Sequence, residues 1–196
     1  NELPGLLAKL EKSARAVEID AFEKVIRSIC GAAQDSNACA AKLVESLGRS
    51  APEAKPALLK LLSVAGGAGA LKAVRAAVDD GNKDVHAAAL RVLSEWKTAD
   101  AAPVLLELAK SSAEPVDRIL ALRGYLGIAM RRDLAVDAKL CICREAAPMI
   151  QRPEEKRMLL AAVGGLADPR ALPLIVPYLD DAGVKQETVM AVLAVA

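Results

Sequence analysis

The chain has 196 residues, 54% of them hydrophobic but only 2% aromatic, with 26% charged and a formal net charge of +1. That length supports one domain with a sizeable core, and the composition excludes a disordered chain. The near-neutral charge excludes strong bulk attraction to nucleic acid or anionic membrane.

Leu3 to Ser13 reads as a short helix. Glu18 to Ala33 is amphipathic, with Ile19, Phe22, Val25, Ile26 and Ile29 at helical spacing. Asp35-Ser36-Asn37 signals the start of the next helix, which runs to about Ser50. Pro52 to Ala65 follows, with prolines in or near its first turn, where a missing N–H costs little. Gly66-Gly67 breaks it, and Gly69 to Asp79 is its partner. After a turn at Gly81-Asn82, Asp84 to Trp96 and Asp100 to Ser111 form another pair. Pro115 to Arg131 is longer and is followed by Ala135 to Ile150. Glu154 to Val163 leads to Gly164-Gly165, read as a cap, and Asp168 to Leu179 closes that pair. Pro173 and Pro177 should bend the latter or delay its start, because each removes a donor. Asp180-Asp181 and Gly183 turn the chain into a last helix.

An aliphatic-basic dipeptide recurs at Ile26-Arg27, Leu59-Lys60, Leu90-Arg91 and Leu122-Arg123. The spacing, roughly thirty to thirty-five residues, is that of stacked helix pairs. Asp20, Glu53 and Asp84 each stand seven residues before the basic residue, and Asp117 is one place out of register. An acid-base ladder between repeats is the expected use, with a ligand-binding charge stripe as the alternative. The fold expected is all-α, a solenoid of about five helix pairs over 1–196, with no linker. No run of ~18 apolar residues exists, so no membrane span is expected, and no signal peptide is visible. The chain opens at Asn1 and ends in the apolar run Val189 to Ala196, so a piece of a longer protein, or an end covered by another molecule, is expected.

The segment Leu166 to Asp181, with its Asp168-Pro169 helix start and Arg170-Ala171-Leu172-Pro173 run, resembles HEAT-like repeats of the type named from phycobilisome lyases. Asp84-Val85-His86-Ala87-Ala88-Ala89-Leu90 looks like the first-helix consensus of those repeats. Leu62 to Ala70, the stretch ending at Trp96, and Leu120-Ala121-Leu122-Arg123-Gly124-Tyr125 are similar to a bacterial HEAT-like domain. The resemblance implies a right-handed α-α superhelix of the HEAT/armadillo kind. It also implies a place in a large protein of the periplasm or cell envelope, beside sugar-active or c-type haem modules. It brings no catalytic residue, and the His-Glu pairs that bind iron in HEAT-repeat hydroxylases are absent.

Arg27, Lys60, Arg91, Arg123, Gly124 and Tyr125 are therefore expected to be structural. Gly124 allows a close helix approach with Gly127 widening the gap, and the Tyr125 hydroxyl reaches a backbone carbonyl. A pocket around Arg123 and Tyr125 is the alternative. Cys30 and Cys39 face each other across a hairpin and either bridge, if the protein is exported, or remain thiols. Cys141 and Cys143 diverge by roughly 200° on one helix and read as buried structural thiols. His86, the single histidine, has no placed partners and reads as a solvated helix-face residue. Trp96 reads as core.

Two functions compete. The first is a non-enzymatic binding or scaffold domain, without cofactor or metal, whose partner is a protein or a neighbouring domain. Lys42, Lys72, Arg75 and Lys110 on the second-helix face are its candidate binding residues. The second is a nucleic-acid-processing protein of the DNA glycosylase type. Glu45, Asp79 and Glu107 interleave with those cations and stacking aromatics are nearly absent, so nucleic acid is the lesser expectation. A bilin-type lyase rests on the repeat name alone.

Overall fold

A computed structural model describes residues 2–195, and the described residues contain helices and no strand. Asn1 and Ala196, the two ends invoked above, lie outside the described residues. The chain forms two compact units, Asn1–Lys97 and Thr98–Ala196.

The first unit holds α1 (Leu3–Glu11), α2 (Ala16–Gly31), α3 (Ser36–Arg49), α4 (Lys55–Ala65), α5 (Gly67–Ala77) and α6 (Lys83–Ser94). Their starts follow local chemistry. The Asp35 carboxylate accepts the Ala38 N–H at 2.9 Å, and the Asn82 side chain accepts the N–H groups of Asp84 and Val85. Alternate helices pack on each other: α2 on α4 and α4 on α6 in one layer, α1 on α3 and α3 on α5 in the other. The helix α4 therefore has neighbours on nearly every side, and Ala57, Leu58, Leu59, Leu61, Leu62 and Ala65 are all buried. Each buried leucine contributes about 1.5–3 kcal/mol relative to exposure.

The second unit holds α7 (Ala102–Ser111), α8 (Pro115–Ala129), α9 (Val136–Ala146), α10 (Pro153–Gly164), α11 (Leu172–Ile175) and α12 (Lys185–Val195). Here α8 packs on α10 and α10 on α12, while α7 and α9 flank α8. Contact on so many sides explains why α8 buries Ala121, Leu122, Gly124, Tyr125, Leu126 and Ile128 rather than one narrow stripe. Pro173 and Pro177 leave α11 one turn long, between two 3-10 turns. On α12, Val189, Met190 and Leu193 are exposed while Thr188, Ala191 and Val195 are buried.

The glycines divide differently from the sequence expectation. Gly66 and Gly67 have φ of 69° and 83° and form the turn between α4 and α5, so that α5 starts at Gly67 instead of Gly69. Gly164 is not a turn residue. It ends α10, and a Cβ there would lie 3.3 Å from the Ala191 Cα of α12. The positive φ in that connection falls on Ala167. Gly127 widens no gap, because nothing lies within 4 Å of its Cβ position.

A lysine-aspartate clamp appears once in each unit. Lys55 Nζ, at the start of α4, donates to Asp80 at 2.8 Å in the turn before α6. Lys156 Nζ, in the first turn of α10, donates to Asp181 at 2.6 Å in the turn before α12. Both carboxylates also accept a backbone N–H two residues on, from Asn82 and from Gly183. Hydrogen bonds from the lysines, then from the backbone, hold both carboxyls below their ordinary value.

Replacing Gly164 by leucine should destabilise the second unit by about 1–3 kcal/mol through overpacking against Ala191. Gly127→Ala should be neutral or stabilising by up to ~1 kcal/mol, and the two urea midpoints test this. The clamps also predict a pH dependence. Because the folded carboxyl values are lowered, their contribution is complete above the ordinary aspartate value of 3.8 and is lost as pH falls below it. A melting temperature that drops through that window, with a shallower drop in the Asp80→Asn and Asp181→Asn variants, is the expected result.

Candidate functional site

Of the four cations singled out in the sequence, three belong to the first unit and one to the second. Lys42 on α3 and Lys72 and Arg75 on α5 lie on two packed helices of the first unit, whereas Lys110 is on the last turn of α7 in the second. Arg75 donates to Asp79 at 3.0 Å, and Arg49 to Glu45 at 2.6 Å, each one helical turn away. Such exposed pairs add only about 0.3–0.5 kcal/mol each. They do neutralise part of the basic character of that face.

Lys110 instead borders a cleft of about 400 Å³ within the second unit. The end of α7, the start of α8, the connection before α10 and the first turn of α10 surround it. Two prolines line it: Pro115 opens α8, where the missing N–H is harmless, and Pro148 sits in the 3-10 turn that ends α9. Ile119, Leu122 and Met149 give the cleft an apolar wall. Lys110, Arg118 and Arg152 give it a basic rim, and all three are exposed. Arg118 donates to the Ser112 carbonyl at 3.0 Å, which orients the guanidinium without cancelling its charge. Neither α8 nor α10 has a side-chain cap. Sequence reasoning missed Arg118 and Arg152. The available signal was their position beside helix-opening prolines.

The one acid lining the cleft is already engaged. Glu155 is 2% exposed and accepts from Arg123 Nε at 2.7 Å, joining α10 to α8. The Tyr125 hydroxyl donates to the Glu145 carboxylate of α9, not to a backbone carbonyl. Burial first, and then the hydrogen bond to Glu145, pushes the phenol above its usual range. Both side chains of the proposed Arg123–Tyr125 pocket thus serve helix-helix contacts.

The expected ladder between repeats forms in part, at Lys60 with Glu23 and at Arg123 with Glu155. Arg27 donates to Glu23 at 2.6 Å, and Lys60 reaches the same carboxylate at 3.5 Å, from α4 to α2. Asp20, Glu53 and Asp84 are not the partners in these pairs.

Cys30 and Cys39 are joined by a disulfide, with Cα atoms 6.0 Å apart across the α2–α3 hairpin. Cys143 is buried as expected, its thiol pushed up to about 11 by burial, but Cys141, two residues away on the diverging side of α9, is exposed and not buried. His86 is half-buried rather than solvated, with Nδ1 at 2.5 Å from the Val78 carbonyl. It reaches back to a carbonyl at the end of α5 that the helix cannot satisfy internally. Trp96 is buried. Among the described residues, no group of three or more His, Cys, Asp or Glu side chains is placed to hold a metal. No helix among them is long and apolar enough to cross a membrane.

No family model matches the chain, and no curated protein matches it either. Solved structures do match. One is the crystal structure of an engineered protein from the Northeast Structural Genomics Consortium, with a TM-score of 0.54 and 16% identity over 100% of this chain and 96% of that one. At that identity the likeness concerns the all-helical fold alone.

Arg123→Ala should leave the buried Glu155 carboxylate without its partner and destabilise the protein by about 2–3 kcal/mol. The expected value lies below that of a fully buried pair because Arg123 is 37% exposed. Arg123→Met combined with Glu155→Leu should recover most of the loss, as read from urea midpoints at unchanged slope.

Proposed function

We propose that this chain is a non-enzymatic binding or scaffold domain, a HEAT-like right-handed α-solenoid whose partner is another protein or a neighbouring domain. The observation that carries this reading is the layer order. In the first unit alternate helices pack in two layers, α2, α4 and α6 in one and α1, α3 and α5 in the other, and in the second unit α8, α10 and α12 pack in one row. Such stacking leaves long exposed surfaces rather than one enclosed pocket. The Asp168-Pro169 start supports the repeat assignment, because Asp168 accepts the Arg170 N–H at 2.9 Å as a helix-opening aspartate should. A Cys30–Cys39 bridge suits an oxidising compartment, in keeping with the periplasm or cell envelope.

A screen of the whole chain against a peptide array and against duplex DNA, at physiological salt, tests the reading. Saturable peptide binding without submicromolar duplex binding is expected. Two results overturn it: no peptide binding at all, or submicromolar duplex binding that Arg75→Glu and Lys110→Glu weaken.

A further inference from the structure

We propose that the cleft between α7, α8 and α10 receives an acidic, aliphatic peptide segment of the partner. Its carboxylates meet Lys110, Arg118 and Arg152, and its aliphatic side chain lies on Ile119, Leu122 and Met149. The inference rests on the reading of the chain as a binding domain and assigns that domain a site and a ligand chemistry.

Charge complementarity carries the assignment. The chain as a whole is near neutral, with 26 Lys and Arg against 25 Asp and Glu. Elsewhere many of its cations face acids, as in the pairs of Arg27, Arg49, Lys55, Lys156 and Arg170. Around the cleft three cations converge, and the one acid in the lining is taken by Arg123. Arg118 is held against backbone carbonyls, so it stands in place before a ligand arrives. A pre-oriented guanidinium loses less entropy on pairing with a carboxylate.

The apolar wall selects the rest of the ligand. Met149 and Ile119 are half-buried, and their remaining surface is covered only if the ligand carries aliphatic groups. A cleft of about 400 Å³ has the size of ordinary ligand sites, roughly 300–1,000 Å³. Nucleic acid fits less well, because no aromatic ring lines the cleft on which a base could stack.

The test uses fluorescence anisotropy on the whole chain. The probe is a labelled peptide of alternating leucine and glutamate. The controls are a leucine-lysine peptide, a glycine-glutamate peptide and a labelled DNA duplex. The leucine-glutamate peptide should bind at least about tenfold more tightly than either control peptide. The Lys110→Glu, Arg118→Glu, Arg152→Glu triple variant should lose at least about tenfold and should now prefer the lysine peptide, an inversion that mere loss of structure cannot produce. Arg152→Glu alone, at an exposed position, should lose about threefold or more with an unchanged melting temperature, and it decides the matter if the triple variant does not fold. Binding of the leucine-glutamate peptide with unchanged affinity in these variants leaves the binding-domain reading standing and removes the cleft assignment. Absence of binding by any peptide removes both. A duplex that binds more tightly than the peptide, and is lost in the same variants, makes the cleft a nucleic-acid site and overturns the proposal.

Discussion

The helix α4 governs the first unit because all of it except a narrow strip around Lys60 is enclosed by other helices. It touches α2, α3, α5 and α6, and its run Ala57, Leu58, Leu59, Leu61, Leu62 must be buried by all four. The second unit spreads the same demand over α8 and α10. Helices packed on this many sides need small residues where backbones approach. Gly164 against Ala191 is such a place, and Gly67 beside Asn37 is another, although there the neighbour is the tip of a flexible side chain. Close packing makes these contacts sensitive to a single methyl group.

Polar groups are then confined to the ends and edges of the helices, and their pairing follows from that. The clamps Lys55–Asp80 and Lys156–Asp181 close the same kind of corner in each unit: a helix start held to the turn before the next helix of its layer. Lys156 also stands 6.0 Å from the Tyr178 ring, so the second clamp leans on an aromatic face. His86 performs a related task with a backbone carbonyl. Glu155 differs, because its carboxylate is buried and depends on Arg123 from the neighbouring helix.

The basic cleft arises where this arrangement leaves space. The connection from α9 to α10 passes through a 3-10 turn at Ala147–Met149 before Pro153 restarts the helix. That connection holds Met149 and Arg152 opposite the start of α8, and the end of α7 supplies Lys110. With Glu155 drawn to Arg123, the charge left around the cavity is positive. Function on this reading follows from three helix ends brought to one place, not from a motif.

The helical class was legible in the residues themselves, since spacing of apolar positions, Asp35 as a helix start, the turn at Gly81-Asn82, and prolines at helix starts are local effects. The consequence of Pro173 and Pro177 for α11 was legible for the same reason. Side-chain partners were not. Contacts between repeats were expected of Arg27 and Lys60, but that both would go to Glu23 was not visible, because reach across a layer depends on how helices pack. Likewise Gly164 looked like a turn residue until the packing of α12 against it showed its use. Lys110 was visible as a candidate, but Arg118 on the next helix was not singled out, and Arg152, far from both along the chain, joins the cleft only through packing. Short-range dihedral and capping preferences act within a few residues and so appear in the sequence. A charge cluster assembled from separate helix ends is decided by tertiary packing, which no local pattern encodes.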